Sequence, residues 1–229
     1  MFKNFKKLKY NKGVTLVELL VVIFIFVIIS GITIFNYGRF NTSLSIQNLA
    51  DDIALSVRKA QGYAIGVHST TGGTFTIGYG IHFTVNPSFV NNVYSGTNKS
   101  FILFADMGNA STSTQDKMYN YDNACGTPAI GNECLEALNI TSTDKISGIK
   151  YYTTSLIDGS TGFPGATMDV VFKRPNPEPV FCYKTAIGNP SCDYSLNISY
   201  VQIILLSGDG SGTTKTITIS NSGQISVSS

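Results

Sequence analysis

Val14-Thr15-Leu16-Val17-Glu18-Leu19-Leu20-Val21-Val22-Ile23-Phe24-Ile25-Phe26-Val27-Ile28-Ile29-Ser30-Gly31-Ile32-Thr33-Ile34-Phe35 is an apolar run interrupted by one charged side chain, Glu18. As a helix these residues span about 33 Å, the thickness of a bilayer's hydrocarbon core, so the segment can cross a membrane. Lys3, Lys6, Lys7, Lys9 and Lys12 precede it, and Arg39 is the one basic residue close behind it. The positive-inside rule therefore keeps the N-terminus in the cytoplasm and places the chain beyond residue 38 outside. A secretory signal peptide would carry a small-residue cleavage pattern after the run, and Ser30-Gly31-Ile32-Thr33-Ile34 does not supply one. A simple anchor leaves Glu18 unexplained, because a carboxylate in hydrocarbon costs on the order of 2.5 to 3.5 kcal/mol and calls for a partner.

Lys12-Gly13-Val14-Thr15-Leu16-Val17-Glu18-Leu19-Leu20 resembles the processing site of type IV prepilins. The resemblance implies cleavage by a prepilin peptidase after Gly13, N-methylation of the new terminal residue Val14, and an assembly role for Glu18, which would neutralise a free N-terminal amine in a filament core. The physics agrees, since opposite charges in a low-dielectric bundle are tolerable together and costly apart. Two positions depart from the family pattern: Val14 replaces the usual Phe, and Phe35 stands where many major pilins have a kinking proline. Ser30-Gly31 is the nearest soft spot, as Gly weakens a helix by about 1 kcal/mol relative to Ala.

Past the span, Ile46, Leu49, Ile53, Val57, Ala60, Ala64 and Val67 form one helical stripe, with Gln47, Asp51, Asp52, Ser56, Arg58 and Lys59 on other faces. An amphipathic helix continues the membrane helix and lays that stripe on a large partner. After Gly72-Gly73 the period changes to two, with Phe75, Ile77, Tyr79, Ile81 and Phe83 alternating against Thr74, Thr76, Gly78, Gly80 and His82, which predicts a strand whose polar side, His82 included, faces outward. Further strands are expected at 100–105, 149–153, 168–172, 195–206, 215–220 and 224–227, the last three as a meander with turns at 207–212 and 221–223. Arg174-Pro175-Asn176-Pro177-Glu178-Pro179 reads as an extended loop between strands. His68 reads as a solvated turn residue.

The expected class is α+β: a long N-terminal helix, half transmembrane and half amphipathic, packed on an antiparallel β-rich head, the pilin fold. Gln61 with Ala64, Gly78-Tyr79-Gly80-Ile81-His82-Phe83, Phe104-Ala105-Asp106 and the closing Ile217-Thr218-Ile219 to Gly223-Gln224-Ile225 hairpin resemble the H-type minor pseudopilins of type II secretion and the T-type fimbrial minor pilins.

The chain has 16 basic and 14 acidic residues and a formal charge of +2, but five lysines lie before Gly13, and without them the balance is 11 against 14. A basic footprint for nucleic acid is therefore missing from the head, and Ser222-Gly223-Gln224-Ile225-Ser226 lacks the basic residues near the final hairpin that the resemblance to T-type pilins associates with DNA uptake. Two close cysteine pairs, Cys125 with Cys134 and Cys182 with Cys192, suit local disulfides in an oxidising compartment, although three pairings are formally open. A ten-residue loop closed in this way gains roughly 2.5 to 3 kcal/mol in the chain-entropy model. Neither pair has zinc-knuckle spacing. Asp106-Met107-Gly108-Asn109 and Asp209-Gly210-Ser211-Gly212 offer oxygen ligands but read first as turns. No metal, cofactor or catalytic constellation is expected.

These readings divide the chain into a leader (1–13), a transmembrane and filament-core helix (14–38) and an extracytoplasmic head (39–229). The expected role is a non-enzymatic structural subunit, a minor pilin or pseudopilin. Its expected partners are other pilins, the prepilin peptidase, an inner-membrane assembly platform and the membrane itself. The alternative is a membrane-tethered binding protein for DNA, a surface or secreted cargo.

Overall fold

The computed structural model describes residues 13–66, 77–85, 96–108, 115–120, 125, 126, 129, 132–153, 167–173, 178–184, 191, 192 and 198–229. The lysine-rich leader, His68, Val67, Gly72-Gly73, Phe75 and residues 174–177 lie outside them. The chain divides into two compact units, Met1–Asn41 and Thr42–Ser229.

One helix, α1 (Leu16–Ile65), contributes to both units. In the first unit its apolar side chains, from Leu16 through Phe35, are exposed almost without exception. It is the one described helix long and apolar enough to cross a membrane.

The second unit is the head, which among the described residues is built from the rest of α1 and ten strands. They are β1 (Gly78–Thr84), β2 (Ser100–Asp106), β3 (Cys134–Asn139), β4 (Lys145–Thr153), β5 (Thr167–Phe172), β6 (Pro179–Lys184), β7 (Ser191–Cys192), β8 (Ile198–Leu206), β9 (Thr214–Ser220) and β10 (Ile225–Ser228). A six-stranded sheet runs β3-β2-β1-β5-β6-β7 and a four-stranded sheet β10-β9-β8-β4. Every strand pairing is antiparallel, and β8-β9-β10 is the expected meander. The architecture is α+β, a long N-terminal helix with antiparallel sheets.

The main core lies between the helical stripe and the inner faces of both sheets. Ile46, Leu49, Ile53, Val57, Ala60 and Ala64 are buried as the periodicity demands, joined by Ala50, and they meet Tyr79, Ile81, Phe83, Met168, Val170 and Phe172 of one sheet and Val201, Ile203, Leu205, Ile217 and Ile219 of the other. Each fully buried large aliphatic or Phe side chain contributes about 1.5 to 3 kcal/mol relative to exposure.

The six-stranded sheet is buried on its outer face as well. Ile102, Phe104, Val171, Cys134 and Cys182 are all buried yet stand apart from the main core. On that face β1 presents Gly78, Gly80, His82 and Thr84. A Cβ at Gly80 would lie 2.8 Å from both the Phe104 ring and the Val170 carbonyl oxygen, so only glycine lets the neighbouring ring lie across the strand. Two expectations are corrected. His82 alternates with Ile81 and Phe83 as read, but it is buried, because an outer layer covers the face that a one-sided sheet would expose to water. Pro179 opens β6 opposite Phe172 instead of closing a loop, a position where its missing N–H is tolerated. Strands β3, β6 and β7 are additions to the sequence reading.

Candidate functional site

Two groups of residues stand out, one at the start of α1 and one on the outer face of the six-stranded sheet. Gly13, Val14 and Thr15 are exposed and non-helical, immediately ahead of the first turn. Thr15 and Glu18 then form a reciprocal cap. The Thr15 backbone amide and Oγ1 donate to Glu18 Oε2 at 3.1 and 3.0 Å, and the Glu18 amide donates back to Thr15 Oγ1 at 3.3 Å. This capping box satisfies two of the free N–H groups that every helix start leaves. The sequence signal, Thr followed three residues later by Glu, was present and unread: Glu18 has a local partner besides any partner in an assembly.

In the head the two disulfides are Cys125–Cys134 and Cys182–Cys192, with Cα atoms 4.6 and 4.0 Å apart. Cys182 and Cys192 are directly paired across β6 and β7, while Cys134 opens β3.

Between these bridges a strap of residues 115–120 crosses the outer face and is held by carboxylates that grip its backbone amides. Asp106, at the end of β2, accepts from the Lys117 amide at 3.2 Å. Asp169 of β5 accepts from the Tyr119 amide at 3.3 Å. Glu133, just before β3, accepts from the Asn120 amide at 2.7 Å through one oxygen and from the Gly108 amide at 2.8 Å through the other. Asp116, on the strap, accepts from the Met118 amide at 3.1 Å and from the Asn120 side chain. Tyr119 lies over Phe104 and His82, with ring centroids 5.4 and 5.1 Å apart. Lys117 adopts φ 63°, a left-handed conformation uncommon for a residue with a side chain.

The electrostatics follow from this crowding. Burial pushes the Asp106 carboxyl up, opposed first by the charge of Lys173. Burial also pushes Glu133 up to about 8, against the pull of its two amide donors. The Lys117 ammonium is pushed down by burial and by the neighbouring charge of Lys173. Of these residues the sequence reading singled out Asp106 and His82. Asp116, Glu133 and Asp169 carry no local motif, since the strands and the strap that bring them together are distant in sequence. Asp209, the other candidate, accepts from Ser207 Oγ and from the Ser211 amide at 2.9 Å each and closes the β8–β9 turn.

Residues 8–34 match the family model described as the prokaryotic N-terminal methylation motif. Neither a curated protein nor a solved structure matches the chain significantly. The motif and the long helix that follows it are consistent with a type IV pilin-like protein and fit a membrane-anchored one.

Proposed function

We propose that this chain is the precursor of a filament subunit, a minor pilin or pseudopilin of a type IV pilus or type II secretion system, and that it acts by assembly without catalysis. The observation that carries this reading is the methylation-motif match over residues 8–34, with Glu18 as the single carboxylate inside the apolar run. The chain inserts with its N-terminus in the cytoplasm. The prepilin peptidase cuts after Gly13 and methylates Val14. The assembly platform then extracts the subunit, and residues 14–38 enter the helical core of the filament among other pilins.

Glu18 is the register residue of this scheme. In the free chain its carboxylate caps the helix through Thr15. In the filament the same group meets the positive N-terminal amine of a neighbouring subunit, and the mutual attraction offsets two desolvation penalties that neither charge could bear alone.

The test is quantitative mass spectrometry of filaments sheared from the native host. A peptide beginning at N-methylated Val14, scarce beside the dominant subunit, is the expected result. An intact leader found only in membranes would overturn the reading and leave a tethered binding protein.

A further inference from the structure

We infer that Asp106, Asp116 and Glu133 form a binding site for a divalent hard cation of the size of calcium, seated between the strap and the outer face of the six-stranded sheet. One carboxylate oxygen from each residue lies within 4.8 Å of the other two. A triangle with sides of 4.8 Å or less has a centre no more than about 2.8 Å from each corner, a bound that admits the 2.3 to 2.6 Å calcium takes, and three protein carboxylates suit calcium better than magnesium, which keeps several of its waters.

A cluster of acids alone would mean little, since carboxylates often gather at surfaces without an ion. Here Asp106 and Glu133 are completely buried, and Asp106 Oδ2 accepts no hydrogen bond. An orphaned buried carboxylate oxygen is costly, and native folds rarely leave one without a hidden partner. The closest positive group is the Lys173 ammonium, 3.5 Å from Oδ2 and 30% exposed. Its side chain reaches Asp106 past Gly78, where an added Cβ would lie 3.3 Å from Lys173 Cγ. Lys173 also donates to Gln115 Oε1 at 3.1 Å, so it has a second resting place when a smaller, doubly charged ion takes over the carboxylates. Asp116 is only half-buried, which leaves room for water as further oxygen ligands. All four cysteines are in disulfides and His82 is engaged by Asp169, so the donor set selects a hard ion over zinc.

The full-length protein in detergent micelles, stripped with EGTA, provides the test by calorimetric titration with calcium chloride and by thermal melts. One calcium ion per chain is expected, with a dissociation constant in the range of about 0.1 to 1 mM typical of extracellular modules, and a rise in melting temperature. Asp116→Asn changes the least buried ligand and should weaken binding about tenfold or more while the ion-free melt stays near wild type. Terbium luminescence on the unmutated protein gives a second reading, since the chain lacks Trp and Tyr119 stands beside the site. Tyr119→Phe should dim it without changing calcium affinity. No calcium-dependent heat or melting shift up to about 10 mM, or binding indifferent to Asp116→Asn, would overturn the inference.

Discussion

His82 and Asp169 are direct partners across the β1–β5 ladder, and their side chains meet on the buried outer face, with Nδ1 2.6 Å from Oδ1. Asp169 uses its other oxygen for the Tyr119 amide, so this one carboxylate joins two central strands to the strap that covers them. Asp169→Ala should therefore cost about 2 to 3 kcal/mol, more than one surface contact could explain, because it strands both a buried imidazole and a buried amide. Chemical denaturation of the variant measures the loss, and added protease sensitivity near residues 115–120 locates it.

A second clasp ties α1 to the turn before β4. Asp144 Oδ2 accepts from Ser45 Oγ at 2.6 Å and from Ser142 Oγ at 2.7 Å, while Lys99 Nζ donates to the carbonyls of Ser142 and Asp144. Burial pushes the Asp144 carboxyl up, but the hydrogen bonds from Ser45, Ser142, Gly208 and Ser207 outweigh it and hold the group below the usual carboxylate range. A lowered folded-state value means that the unfolded chain takes up the proton first. Asp144 therefore contributes its full stability above the ordinary carboxylate range and loses it as pH falls through the folded-state value. Thermal melts across the acid range should show Asp144→Asn with a shallower acid limb than wild type, and Ser45→Ala about 1.5 kcal/mol less stable at neutral pH.

Gly80 is held by the Phe104 ring and the Val170 carbonyl oxygen. Gly80→Ala should destabilise the head by about 1 to 3 kcal/mol through overpacking, and Phe104→Leu should recover part of that loss, a coupling that a double-mutant cycle would register.

Reduction of the disulfides should cost roughly 2 to 3 kcal/mol for each bridge in the chain-entropy model. Paired Cys-to-Ser variants, Cys125 with Cys134 and Cys182 with Cys192, separate the two contributions in denaturant melts. The first pair borders Glu133 and should also loosen the grip on Asn120, visible as faster amide exchange there.

At the helix start, Glu18→Gln keeps an acceptor for the Thr15 amide and removes the charge. Helicity in micelles should stay at the wild-type level while filament incorporation falls as far as in Glu18→Ala. Normal incorporation of Glu18→Gln would reduce this residue to a helix cap.

The helix and most strands were legible in the sequence because their periods are regular: the stripe from Ile46 to Ala64 matches the observed burial, and the alternation from Ile77 to Phe83 picks out the residues of β1 that join the main core, although both faces of that strand are buried. Cys134–Asn139 and Pro179–Lys184 escaped because a disulfide and strand pairing hold them in place where local β-propensity is mixed. His82 was misplaced for a related reason. Period two says which residues share a face, and only tertiary packing says whether that face is covered. The carboxylates of the outer face were illegible because residues 106, 116, 133 and 169 converge through topology, with no spacing to announce them.

The strap is recognised by its amides at Lys117, Tyr119 and Asn120, which every residue except proline possesses. Tyr119 also packs its ring on Phe104 and His82, and Asp116 and Asn120 join through their side chains, but at Met118 a lid fastened in this manner is blind to lettering. The head can thus rewrite the side chain of Met118 through mutation while keeping the same lid in the same seat, so that surface identity can change at that position over an unchanging frame.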